Sequence, residues 1–233
     1  MNEKLALVVL AGGKSLRMGQ DKATMKLSCL PQAYLTKHDY LIFSKKEKQV
    51  FFQLDFLWQS LWTFSKLIKK YDFIDTTIYI SCRKEQKEFF AEHILQYPDI
   101  ASCEFILDDG NGVCDAFITS FETLNKPILC LPCDAPYVQV EDLEQLIFAW
   151  QKNPQYYQYT FVDPNNDRRE TLISLYTQNA KNAFINSMHN KIRIQNSIDL
   201  AYIYQIPFTE KLRKNLHNIN KKEDLFLEIN IIY

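Results

Sequence analysis

The chain has 233 residues, 47% hydrophobic and 24% charged, a globular composition long enough for one large domain with a sizeable core. A formal net charge of -1 excludes the basic excess of a general nucleic-acid or anionic-membrane binder. The six cysteines show no disulfide-framework spacing, no signal-peptide pattern is seen and no apolar run nears the roughly 18 residues of a membrane span, so a cytoplasmic protein with reduced thiols is expected.

Leu5 to Ala11 is a continuous apolar run, which predicts a buried central strand. After it, residues 28 to 48 mix aromatics and lysines without a period and read as an inserted hairpin or loop. Helical spacing of Leu57, Trp58, Leu61, Trp62, Phe64 and Ile68 predicts a helix over 57–68. Thr76 to Ser81, β-branched and aromatic, predicts a strand; Arg83 to Gln96, with a Phe89-Phe90-Ile94 stripe, predicts a helix that stops before Pro98. A short strand over Glu104 to Leu107 runs into Asp108-Asp109-Gly110, and a helix over Val113 to Leu124 follows.

Pro127 to Cys133 is a second buried strand, and Leu143, Leu146, Ile147 and Trp150 mark an amphipathic helix. Tyr159 to Val162 and Thr171 to Tyr176 are strands flanking the polar turn DPNNDRRE; helices over roughly 178–188 and in the tail NKKEDLFLEI complete the chain. Strands alternating with helices predict an α/β fold: a single three-layer, Rossmann-like domain over 1–233 with a mostly parallel sheet.

Three of the five glycines fall in one stretch, LAGGKSLRMGQDK, directly after the first strand. Glycines let backbone N–H groups approach a phosphate, and a following helix N-terminus adds positive charge. Arg17 can fork onto phosphate oxygens while Lys14 and Lys22 supply point charges. A tight turn with solvated cations is the competing reading. Two other phosphate loops are excluded by counting. A P-loop ending at Gly13-Lys14-Ser15 needs an earlier glycine where Val8 stands, and the dinucleotide fingerprint does not accommodate adjacent Gly12 and Gly13 followed by Gly19.

Asp134 stands immediately after the strand PILCLPC, where α/β sheets place ligands, and Ala135-Pro136 forces a turn behind it. A carboxylate there can hold Mg²⁺ on a triphosphate; capping of the helix near Val140 is the alternative, weakened by its distance along the chain. Cys130 and Cys133 in an extended strand lie about 10 Å apart. That exceeds the reach of a disulfide, about 7 Å. They read as buried packing.

LAGG-x-S-x-R-M-G-x-D-K is matched without a gap from Leu10 to Lys22 and resembles the nucleotidyltransferases of sugar-nucleotide and cofactor synthesis. Within them it looks most like the molybdenum cofactor guanylyltransferases, the family of molybdopterin-guanine dinucleotide synthesis protein A. Pro132-Cys133-Asp134-Ala135-Pro136 resembles the family's Pro-Cys-Asp-x-Pro motif, whose Asp coordinates the metal. The resemblance spans nearly the whole chain and is sharp at 5–27, 127–138 and 218–225; Asn218 to Leu225 is similar to the family's Asn-x-Asn-Thr-Pro-Glu-Asp-Leu, with a helix cap as an equally good local reading.

The resemblance implies a nucleotide-diphospho-sugar transferase type of fold, with nucleotide binding in the N-terminal half and acceptor binding in the C-terminal half. It implies transfer of GMP from GTP to molybdenum-bound molybdopterin with release of pyrophosphate. Leu10, Ala11, Gly12, Gly13, Lys22, Asp108 and Asp134 are the implied nucleotide-binding residues, Arg17 and Lys22 the catalytic cations, and Asp134 the ligand of Mg²⁺. At the third strand end, Asp109 is a rival to Asp108, and a plain β-turn also accounts for both. Arg168, Arg169, Lys191 and Arg193 are candidates for the acceptor's phosphate or molybdate end, or are solvated surface cations.

Proteins that deliver the cofactor and molybdoenzymes that receive it are the implied protein partners. The chain departs from the family at Ser81-Cys82, where relatives carry Asn near the base, and at Gly112 to Ala116, where relatives read Gly-Pro-Leu-Ala-Gly. Base choice lies in such segments. A cytidylyltransferase on the same cofactor, a sugar-phosphate nucleotidyltransferase and a non-catalytic nucleotide-binding protein are therefore the alternatives.

Overall fold

The computed structural model describes residues 3–13, 23, 56–95, 97 and 99–216. Seven strands form one sheet: β1 (Leu5–Leu10), β2 (Ile74–Arg83), β3 (Ser102–Asp108), β4 (Ile128–Pro132), β5 (Gln158–Asp163), β6 (Arg168–Tyr176) and β7 (Ile203–Pro207). Their spatial order is β3-β2-β1-β4-β6-β5-β7. All neighbours pair parallel except β6, which runs antiparallel to both β4 and β5. The sheet is mostly parallel, as the alternation of strands and helices predicts.

Six α-helices accompany it among the described residues: α1 (Phe56–Lys70), α2 (Lys87–Ile94), α3 (Val113–Leu124), α4 (Val140–Lys152), α5 (Ala180–His189) and α6 (Glu210–Asn215). None is long and apolar enough to cross a membrane. The reason β1 reads as an unbroken apolar run is its central position with a covered layer on each face. Leu5, Leu7, Val9 and Ala11 enter the core that includes Leu61 and Phe64 of α1 and Leu146 and Trp150 of α4. Ala6 and Val8 enter the opposite core, with Phe117 of α3 and Phe184 of α5.

The same alternation separates Cys130 from Cys133. Three residues apart, Cys130 within β4 and Cys133 in the turn directly after it, they join opposite cores and neither is in a disulfide. Burial also pushes the Cys130 thiol well above its ordinary pKa.

Three expectations need correction. The helix expected over 83–96 is a 3-10 turn, Lys84–Gln86, followed by the short α2; Phe90 is buried there but Phe89 is half exposed. Adjacent residues on a helix cannot share one face, so the Phe89-Phe90 pair could not both be core. Strand β2 runs through Arg83, two residues beyond the expected end, because β3 pairs with it as far as Asp108. β7 and α6 are additional elements that the apolar pattern misses, since β7 is a partly exposed edge strand beside β5 and α6 is a single short helix. The expected insertion at 28–48 and the expected tail helix lie outside the described residues.

Candidate active site

Because β1, β2, β3 and β4 run parallel, their carboxyl ends gather on one edge of the sheet. The chain leaves β1 for β2 and β3 on one side, then returns through α3 to β4 on the other side of β1. The β1/β4 boundary is thus a topological switch point, where diverging loops open a crevice for a ligand. Gly12-Gly13 leaves one side of it and Asp134 the other.

Leu10 and Ala11 are tied to both neighbours: the Ala11 N–H donates to the Ser81 carbonyl at 2.9 Å, and the Cys133 N–H donates to the Leu10 carbonyl at 3.2 Å. Ala11 is buried, with its N–H already taken by Ser81. At Gly12 the space for a side chain is taken. A Cβ there would lie 3.1 Å from Asp108 Oδ2 and 3.5 Å from the Cα of Cys82. A Cβ placed on Gly13 would meet no described residue within 4 Å.

Asp108 ends β3 and is buried against this loop. The Ser81 hydroxyl donates to its Oδ2 at 3.0 Å and the Gly110 N–H donates to its Oδ1 at 3.0 Å. Its rival Asp109 is exposed and turns its N–H to Asp115 Oδ2, 3.0 Å away; the Asn111 N–H reaches the same oxygen at 3.4 Å. The turn relies on φ of 72° at Gly110 and 110° at Gly112, values that favour glycine. Two carboxylates, Asp108 and Asp115, thereby occupy three consecutive backbone donors. This strand end offers acceptor oxygens to a ligand more readily than N–H groups, which suits a ribose or base rather than a phosphate.

Asp134 lies in a turn immediately after β4, half-buried and well ahead of α4, whose N-cap residue Gln139 instead has its N–H bonded to Asp142 Oδ2 at 2.9 Å. The turn is held by the Ala135 N–H on the Pro132 carbonyl at 3.3 Å. Among the described residues no group of three or more His, Cys, Asp or Glu could hold a metal ion. A single half-buried carboxylate at this place fits Mg²⁺ bound jointly by one acid and the phosphates of a nucleotide.

Arg168 and Arg169 open β6, whose antiparallel course brings its start to the same edge as the end of β4. Arg168 pairs with Glu170 at 3.6 Å, and the Arg169 guanidinium donates to the Gln195 carbonyl, tying β6 to the turn Ile194–Asn196 just after Arg193. Arg169 and Arg193 are thereby brought to one region; Lys191, at φ 55°, lies two residues before Arg193. Arg17, Lys22, Lys14, Gly19 and the stretch Asn218 to Leu225 lie outside the described residues. Arg83, which the sequence reading did not assign to the site, also stands in it. Ser81 and Asp115, marked in the sequence only as parts of segments that depart from the family pattern, take polar roles there, Ser81 on Asp108 and Asp115 on the turn after β3.

No protein-family model matches the chain, and no curated protein sequence matches it. Solved structures do. The chain is similar to molybdopterin-guanine dinucleotide biosynthesis protein A from Archaeoglobus fulgidus, with TM-score 0.60 and 19% identity over 97% of each chain. The fold is shared.

It is similar also to a 4-diphosphocytidyl-2C-methyl-D-erythritol synthase from Anaerococcus prevotii, with TM-score 0.60 and 10% identity over 100% of both chains. A cytidylyltransferase from Leptospira borgpetersenii matches with TM-score 0.54 and 13% identity, covering 96% of this chain and 83% of that one. At such identities these likenesses establish the architecture, an α/β nucleotidyltransferase type of fold, and leave substrate choice to the residues of the site.

Proposed function

We propose that the protein is a nucleotidyltransferase that transfers GMP from GTP to the terminal phosphate of molybdenum-bound molybdopterin and releases pyrophosphate. The observation that carries this reading is the placement of the glycine loop and the Asp134 carboxylate on the two sides of one switch point, within a fold shared with proteins of that chemistry. An acceptor phosphate oxygen forms the new bond to the α-phosphorus in line with the departing bridge oxygen, whose bond breaks as pyrophosphate leaves. An ionised phosphate nucleophile requires no general base.

Backbone donors at Gly12 and Gly13 hold the triphosphate, and Arg17 and Lys22 offset the charge that grows on the α-phosphate and the leaving group. Asp108 faces the nucleoside. Asp134 would hold Mg²⁺, which supplies charge neutralisation on the phosphates when bound. Arg169 and Arg193 serve the acceptor. Protein partners would be those that bring molybdopterin and those that take up the finished cofactor.

A second reading, cytidylyl transfer to the same acceptor, is favoured by one observation: Ser81-Cys82 and Gly112 to Ala116 depart from the guanylyl pattern while cytidylyl-type structures share the fold. Thermal-shift measurements with Mg²⁺ and each of GTP, CTP, ATP and UTP separate the two. The largest rise is expected with GTP; a larger rise with CTP replaces the first reading by the second.

A further inference from the structure

Arg83 closes β2, and its side chain turns back across the sheet edge. Its Nε–H donates to the Gly12 carbonyl at 3.2 Å, and its Nη1 reaches Glu85 Oε1 at 2.5 Å. The Arg83 backbone N–H is itself held by Gln86 Oε1 at 3.1 Å. The aliphatic stem lies under Gly110, where a Cβ would stand 3.2 Å from Arg83 Cδ and 3.6 Å from Cγ. From the strand between β1 and β3, one side chain therefore touches the loop that follows each of them.

We propose that Arg83 is a positioning residue that presets the Gly12–Gly13 peptide so that the Gly13 N–H is ready for a phosphate oxygen. The proposal rests on the nucleotidyltransferase reading above. Regular pairing of β1 with β2 ends at the Ala11 N–H, so no ladder bond to β2 orients the Gly12–Gly13 peptide plane two residues on. Two successive glycines are the residues least able to orient it themselves.

All described peptide bonds are trans, and in a trans peptide the C=O and the following N–H point in opposite directions. Fixing the Gly12 carbonyl on Arg83 therefore turns the Gly13 N–H away from β2. On that other side the neighbour of β1 is β4, which carries Asp134. A flipped plane would instead present the Gly12 carbonyl oxygen to the phosphate, an acceptor facing an anion. Preorganised donors bind without the cost of ordering the loop at the moment of binding.

Isothermal titration of the full chain with Mg²⁺-GTP and with Mg²⁺-pyrophosphate tests this on wild type, Arg83→Met and Arg83→Lys. Met keeps an aliphatic stem against Gly110 and removes the donor; Lys keeps the charge but has no N–H at the Nε position. Wild type is expected to bind both ligands. R83M should weaken both by about 10- to 100-fold, the loss of one charge-assisted hydrogen bond, with a melting temperature close to wild type. R83K should stay close to R83M, because the requirement is a donor at one place rather than a positive charge; it carries the test if R83M does not fold.

Wild-type affinities in R83M, or full recovery in R83K, would overturn the proposal and leave the nucleotidyltransferase reading intact. If wild type binds none of the four triphosphates, both fall together.

Discussion

In the proposed reaction a single carboxylate, Asp134, separates a protein that binds a nucleotide from one that turns it over. It lies half-buried in a turn ahead of α4, whose N-cap is Gln139. Asp134→Ala is expected to lower turnover by about 10²-fold or more with little change in melting temperature. Near-normal kcat in steady-state assays at saturating Mg²⁺ would remove its metal role. The Gly12-Gly13 pair and Asp134 were legible in the sequence because each belongs to a short motif at a strand end. The hydrogen-bond roles of Ser81, Arg83 and Asp115 were not. Ser81 matters because parallel pairing sets it beside Ile106, close enough to donate to Asp108, and Asp115 matters because α3 folds back over the turn it braces.

Between elements, the half of the sheet around β5 and β7 depends on polar ties that apolar periodicity does not register. Arg213 of α6 holds Asp163, at the end of β5, with Nη1–Oδ2 at 2.5 Å and Nη2–Oδ1 at 2.7 Å. This guanidinium first, and the Asn165 N–H second, keep the Asp163 carboxyl below its usual pKa. A depressed carboxylate contributes stability above its unfolded pKa and loses it as pH falls through the folded value.

Asp163→Asn is therefore expected to melt a few degrees below wild type at about pH 7 and to converge with it at about pH 2, read from thermal melts across that range. A gap that persists in acid would assign the loss to packing instead. These ties explain why β7 and α6 escaped a reading based on apolar spacing: the edge strand exposes Gln205 and Pro207, and α6 docks through Arg213 and through Asn215 on Asp142 at 2.8 Å. The helices α1, α3 and α4 were legible for the opposite reason, each carrying a long apolar stripe.

Across the whole molecule, two cores back one central sheet, and both must hold for the switch point to keep its shape. On one face Phe117 stacks on Phe184 at 4.8 Å and meets Tyr176 edge-on at 4.9 Å. Phe117→Ala is expected to cost about 3–5 kcal/mol, measured by urea denaturation; a loss under about 1 kcal/mol would mean that the α3–α5 layer collapses around the gap.

The class of fold and the edge that carries the candidate site could be read from strand alternation alone, since any parallel sheet collects its loops at the carboxyl ends. The base of the proposed nucleotide substrate could not, because in that reading the choice rests on a few side chains brought together from β2, β3 and α3. The proposed reaction is tested most directly by incubating the protein with Mg²⁺, molybdenum-loaded molybdopterin and GTP labelled at the α-phosphate. It predicts label in the molybdopterin product with one pyrophosphate released per transfer; no pyrophosphate from GTP, CTP, ATP or UTP would contradict it.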